Sequence, residues 1–154
     1  MQLYPRMGSC FERALEATLT ERARGFLLHV PAELPPILGQ IQDGMQVQGY
    51  LAKDLFAVRL ALHEAVINAY QHGHRCDPAK SITLRYVVSS NEVVLEVQDE
   101  GRGFDPEQVP DPLAREILDR PGGRGLFLMW AYMTWVGFNR TGNRVTLVKQ
   151  RSPG

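Results

Sequence analysis

No sign of charge dominates this sequence. Lys and Arg total 17, as do Asp and Glu, so the basic excess that marks most nucleic-acid binders is missing, although a local basic patch is still compatible with that balance. Cysteine is scarce too. Cys10 and Cys76 have neither a CxxC partner nor a zinc-type spacing, which argues against a disulfide framework or a metal cluster. No apolar run is long enough to cross a bilayer. The opening Met1-Gln2-Leu3-Tyr4-Pro5-Arg6 lacks the apolar stretch of a signal peptide. Repeats and an evident linker are absent as well. The expectation is a reduced, cytoplasmic protein with no membrane segment and no direct nucleic-acid partner. Its 154 residues fit one domain that can bury a core without covalent staples.

What is present alternates between helical and strand patterns. Ser9 and Glu12 are spaced as a capping box, and Phe11, Leu15 and Leu19 share a stripe, which predicts a helix over 8–23. It packs on its own domain or on a partner. Phe26 to Val30 reads as a short strand closed by Pro31, and 33–50 as a helix through Leu34, Ile37, Leu38, Ile41 and Met45. Lys53 to about Gly73 is the strongest helix, with Leu55, Val58, Leu62, Val66 and Ala69 as its buried stripe. Ile82–Val88 and Glu92–Asp99 alternate as two strands of a hairpin. Residues 100–125 are rich in Gly and Pro, a loop long enough to be functional or mobile. Leu126–Met133 reads as a helix, and Thr134–Asn139 with Arg144–Gln150 as a closing hairpin. The sum is an α+β fold, a two-layer sandwich whose mostly antiparallel (mixed) sheet is covered on one face by helices.

Three stretches carry chemistry. Glu64, Asn68 and His72 step by four along the central helix and so share one face, which is either a solvated outer face or a polar site. His63-Glu64 begins a zinc-protease HExxH, but Ile67 stands where the second ligand belongs. It also resembles a histidine-kinase phosphoacceptor box, but lacks the following Pro and the dimerisation hairpin. Asp99-Glu100-Gly101-Arg102-Gly103 places an acid at a strand end before glycines that let backbone approach a ligand, and the same wording also makes ordinary turns. Gly122-Gly123-Arg124-Gly125-Leu126 precedes a helix whose free N–H groups suit phosphate, with Arg124 adding a cation.

In that order the stretches resemble the N, G1 and G2 boxes of the Bergerat nucleotide fold of the GHKL ATPases. Glu64-Ala65-Val66 through Asn68-Ala69 and His72-Gly73, Gly101 to Pro106, and Arg124-Gly125-Leu126-Phe127-Leu128-Met129 are similar to the RsbW-like anti-sigma-factor serine/threonine kinases. The likeness runs from about residue 25 to 150. It implies a helical extension over 1–23 and an ATP-binding kinase domain over 24–150. It further implies that Asn68 binds Mg²⁺ together with the ATP phosphates, and that Asp99 accepts from the adenine amino group. Gly101 and Gly103 would pass beside the base. Gly123, Arg124, Gly125 and the Leu126 N–H would hold phosphate, Glu64 would be the general base, and His72 would be a phosphate ligand or a structural histidine. The partners implied are an anti-sigma-factor antagonist carrying the accepting serine, a sigma factor, and a second copy of the chain. Trp130 and Asn143 depart from the family's wording, and Asn143 puts the adenine-side water network in doubt. A nucleotide-gated binding module that does not phosphorylate is the alternative, and Glu64 argues against it. The catalytic domain of a split histidine kinase is a third reading, weakened by the missing phosphoacceptor hairpin.

Overall fold

Alternation builds the sheet. The computed structural model describes residues 10–103 and 123–154. Five strands, β1 (Arg24–Leu28), β2 (Ile82–Val88), β3 (Glu92–Gln98), β4 (Trp135–Phe138) and β5 (Arg144–Gln150), lie in the order β1-β2-β3-β5-β4. All four described pairings are antiparallel, with Leu84 opposite Val97 and Leu95 opposite Leu147. Because side chains alternate across a strand, this register puts Leu84, Leu95, Val97 and Leu147 on one face.

That face is covered by α2 (Leu34–Val47), α3 (Ala52–Asn68) and α4 (Gly123–Tyr132). Val58, Leu62, Val66 and Ala69 are buried as the stripe predicts, while Leu55 is half-buried. Ala57, Ala61 and Ala65 are buried as well, so α3 is covered on two sides, by the sheet and by α4. Their small side chains allow that close approach. The connection into α3 is pinned by Tyr50, whose phenol donates to the Ser89 carbonyl at 2.9 Å. Burial, assisted by the Glu92 charge, pushes that phenol up to about 12, so it stays a donor.

The opposite face is not bare. Helix α1 (Cys10–Arg22) lays Leu15 and Leu19 on Val94 and Val148, with Trp135 alongside. Glu16 reaches Arg85 at 3.4 Å, and Arg85 forks onto the buried Glu96 at 2.9 and 2.8 Å. The first helix therefore packs on its own chain.

Differences from the sequence reading are local. The first strand occupies Arg24–Leu28 rather than Phe26–Val30, because the His29 N–H turns to the Glu33 carboxylate and Pro31 opens a 3₁₀ turn. The central helix changes character at Ala69, where Ala69–Gly73 forms a π-helical turn. Helix α4 starts at Gly123, three residues before Leu126. The capping residue Ser9, the Gly/Pro segment over 104–122 and the Arg124 side chain lie outside the described residues.

Candidate functional site

The site grows from the polar side of α3. Glu64 and Asn68, one turn apart and both half-buried, border the first turn of α4. A Cβ on Gly125 would sit 2.9 Å from Glu64 Oε2, 3.0 Å from Asn68 Nδ2 and 3.4 Å from Asn68 Oδ1. Carboxylate, carboxamide and a helix N-terminus thus meet at one point, and glycine is the residue that lets them. The first four N–H groups of α4 have no intrahelical acceptor, and the helix dipole leaves this end electropositive. Gly123, Gly125 and Leu126 lie in that turn.

A second cluster forms where α3 ends. The π-helical turn widens the coil, and a turn of this kind commonly marks a functional site. It lays Gly73 directly against the Asp99 carboxylate, while Gly101 lies against the Gly73 carbonyl. The Gly101 N–H donates to Asp99 Oδ1 at 2.7 Å. Burial pushes the Asp99 carboxyl above the usual carboxylate range, a push that the Gly101 N–H partly offsets. Gly103 takes φ +73° and passes against the Thr141 carbonyl in the β4–β5 turn. Asn68 ends α3 and Gly73 ends the π-helical turn that follows it, so the two clusters sit at successive points of one stretch of chain.

Two residues missed as site components hold Asp99 from the sides. Asn143, the doubtful position, accepts the Asp99 N–H at 2.9 Å through its carbonyl, and its Nδ2 donates to the Asp99 carbonyl at 3.3 Å. His74, which the sequence reading passed over, is buried and accepts the Glu100 N–H at 2.8 Å through Nε2. His72 is exposed and belongs to neither cluster. The signal that separates the two histidines is the π turn, which shifts the helical phase after Asn68 and is not written in a 3.6-residue period. Trp130, the other departure, packs into the main core.

Acid, amide, crowded glycines and a glycine-bearing helix start fall in the same chain order as in a known family. The family model described as Histidine kinase-like ATPase domain matches residues 29–149. The chain belongs to this family. Its relatives place it on the anti-sigma branch. It is 33% identical over 102 residues to the Serine/threonine-protein kinase BtrW of Bordetella bronchiseptica, covering 64% of this chain and 72% of that one. It is 29% identical over 129 residues to an Anti-sigma F factor of a Thermoanaerobacter species, covering 82% and 80%. It is 31% identical over 108 residues to the Serine-protein kinase RsbW of Bacillus subtilis, covering 66% and 68%. These relatives are named as kinases and anti-sigma factors, in keeping with a GHKL-type ATPase domain. No described helix is long and apolar enough to cross a membrane.

Proposed function

We propose that this protein is an ATP-dependent serine/threonine protein kinase that phosphorylates an anti-sigma-factor antagonist and sequesters a sigma factor. The observation that carries the reading is the contact of Gly125 with Glu64 and Asn68, which joins the acid, the amide and the phosphate-type helix start. The names of the relatives, serine-protein kinase and anti-sigma F factor, support the substrate and partner classes.

The residue set suits an adenine nucleotide. Gly73 and Gly101 press so closely on Asp99 that a Cβ at either would clash with its carboxylate, which fixes where the acid stands. Asp99, whose Oδ1 is engaged by Gly101, would offer its other oxygen to the adenine amino group; guanine has no donor at that position. Gly101 and Gly103 would line the base, while Gly123, Arg124, Gly125 and the Leu126 N–H would take the phosphates, with His72 a further candidate for them. Among the described residues no group of three or more His, Cys, Asp or Glu could hold a metal unaided. One neutral oxygen from Asn68 would suit Mg²⁺, an ion that keeps phosphate and water ligands. The ion, when bound, neutralises charge developing on the transferring phosphoryl group. Glu64, beside Asn68, would orient the substrate serine hydroxyl and take its proton, a positioning role that fits a loose transition state. We place the activity in the cytoplasm, where sigma factors act, and we assign the working form to a homodimer.

The test uses two variants. Asp99→Asn should lose about 10–100-fold in ATP affinity by calorimetry, the size of a hydrogen bond to a charged group. Unchanged affinity would remove the assigned pocket. Glu64→Ala should keep ATP yet stop transfer to a captured protein with a receptive serine. Continued transfer by that variant would leave a nucleotide-binding site without its base. Capture of the serine protein in the presence of ATP or ADP supplies the substrate for this assay.

A further inference from the structure

His74 is one of few polar side chains in the interior, at 1% exposure. It closes the π-helical turn, its own N–H donating to the Ala69 carbonyl at 2.9 Å, and its carbonyl receives the Asp77 N–H at 3.1 Å. The backbone on both sides is thereby held, and the ring is buried. From there Nε2 accepts the Glu100 N–H at 2.8 Å. A nitrogen that accepts carries no proton, so the neutral ring holds its proton on Nδ1, which is buried with no partner among the described residues. An unmet buried donor is costly, and a histidine kept there despite that cost is held by what its other nitrogen does.

What Nε2 holds is the turn that presents Asp99. Residue 99 is clamped on its own main chain by Asn143. Residue 101 is pinned by its N–H to the Asp99 carboxylate and by the Gly73 backbone. Glu100 between them is held by its N–H on His74 and by its carboxylate, which accepts the Ser81 N–H at 2.6 Å and the Ser81 hydroxyl at 3.4 Å. Of these, the His74 contact acts directly on the peptide plane joining Asp99 to Glu100, whose carbonyl Asn143 Nδ2 holds from the other side at 3.3 Å. We propose that His74 is a positioning residue for Asp99, and that by accepting the Glu100 N–H it helps set how strongly the site prefers adenine over guanine nucleotides. The inference rests on the nucleotide reading above, in which Asp99 meets the base. A carboxylate that swings loses the directional hydrogen bond to an exocyclic amine and, with it, the discrimination against a base that lacks the donor.

The experiment measures ADP and GDP affinity, with magnesium present, for the full chain and for His74→Phe, His74→Gln, Asp99→Asn and the His74→Phe/Asp99→Asn pair. Phe fills the ring's space without an acceptor, and Gln restores an acceptor near the Nε2 position. His74→Phe should weaken ADP about tenfold and GDP little, the scale of one hydrogen bond. His74→Gln should regain most of the ADP preference, and the double variant should bind ADP no more weakly than Asp99→Asn alone. A melting shift without a change in the ADP-to-GDP ratio would overturn the proposal, as would equal loss of that ratio in Phe and Gln variants. If Asp99→Asn itself leaves ADP affinity unchanged, the nucleotide reading fails first; if it weakens ADP while His74→Phe matches the parent, only this inference fails. Should His74→Phe not fold, the ring nitrogen shifts of His74 in the parent protein decide. An Nδ1–H ring with an accepting Nε2 supports the assignment, and an Nε2–H ring or a doubly protonated one overturns it.

Discussion

An alanine at position 125 and one at position 101 meet different neighbours, and the difference predicts opposite balances of stability and function. The Cβ at 125 would press on the far ends of Glu64 and Asn68, which swing aside at little cost. Alanine also favours the helix over glycine. Gly125→Ala should therefore leave the melting temperature within a few degrees of the parent, yet displace the two groups proposed to act on the serine and the metal. Displacements of about 1 Å cost up to ~100-fold in rate, so we expect phosphate transfer to fall by about 10–100-fold while the fold survives. The Cβ at 101 would strike the Gly73 carbonyl, which is backbone in a hydrogen-bonded turn and does not move aside. Gly101→Ala should lose about 1–3 kcal/mol of stability, the range of overpacking strain, together with nucleotide affinity. Denaturant unfolding and calorimetry on the two variants separate the cases. A Gly125→Ala protein with full transfer activity would show that Glu64 and Asn68 do not need their present positions.

At the scale of elements, α1 and the candidate site lie on opposite faces of one sheet. Leu19, 2% exposed, is held between α1 and Val94 and Val148. Leu19→Ala should cost about 2–5 kcal/mol, read as a lower denaturation midpoint, with the ADP affinity of the folded protein unchanged within about twofold, because additivity holds for sites without shared partners. A parallel loss of affinity would mean that the sheet transmits between its faces. The strands were legible because β2 and β5 alternate over most of their length and β3 is a mostly apolar run, buried on both faces. The docking face of α1 was not. A stripe of Phe11, Leu15 and Leu19 says that one side is apolar, but not what covers it, and Phe11 remains 44% exposed against the edge of Trp135. In the site, the acid, the amide and the glycines were readable as residue types in order. Which of them touch was not, since the Gly125 contact is made between helices far apart in sequence. His74 escaped because the π turn adds a residue that helical periodicity cannot foresee.

Over the whole molecule the site draws on the stability of the fold that carries it. The C-terminal residues close the far end of α3, where Ser152 donates to the fully buried Asp54 through its N–H at 2.8 Å and its hydroxyl at 2.6 Å, so the helix bearing Glu64 is anchored at the end away from that residue. Asp99 is the reverse case, since burial raises its folded pKa above the ordinary value of 3.8. The folded chain then holds this proton more tightly than the unfolded one. Stability from this group is therefore greatest below 3.8, falls as pH rises through the folded pKa, and stays low to neutrality. Nucleotide binding has the opposite preference, because the ionised carboxylate is the better acceptor for the adenine amine. At neutral pH, ADP at a hundred times its Kd should add about 2.7 kcal/mol to stability, a rise of about 5–10 °C for a chain of this size. That rise should shrink as pH falls through the carboxylate range. Asp99→Asn removes the buried charge, so the ligand-free variant should melt above the parent at neutral pH, gain less from ADP, and keep that smaller gain over the same interval. Melting scans of both proteins from pH 4 to 7.5, with and without ADP, decide it: identical pH profiles would place the Asp99 carboxylate outside the binding equilibrium.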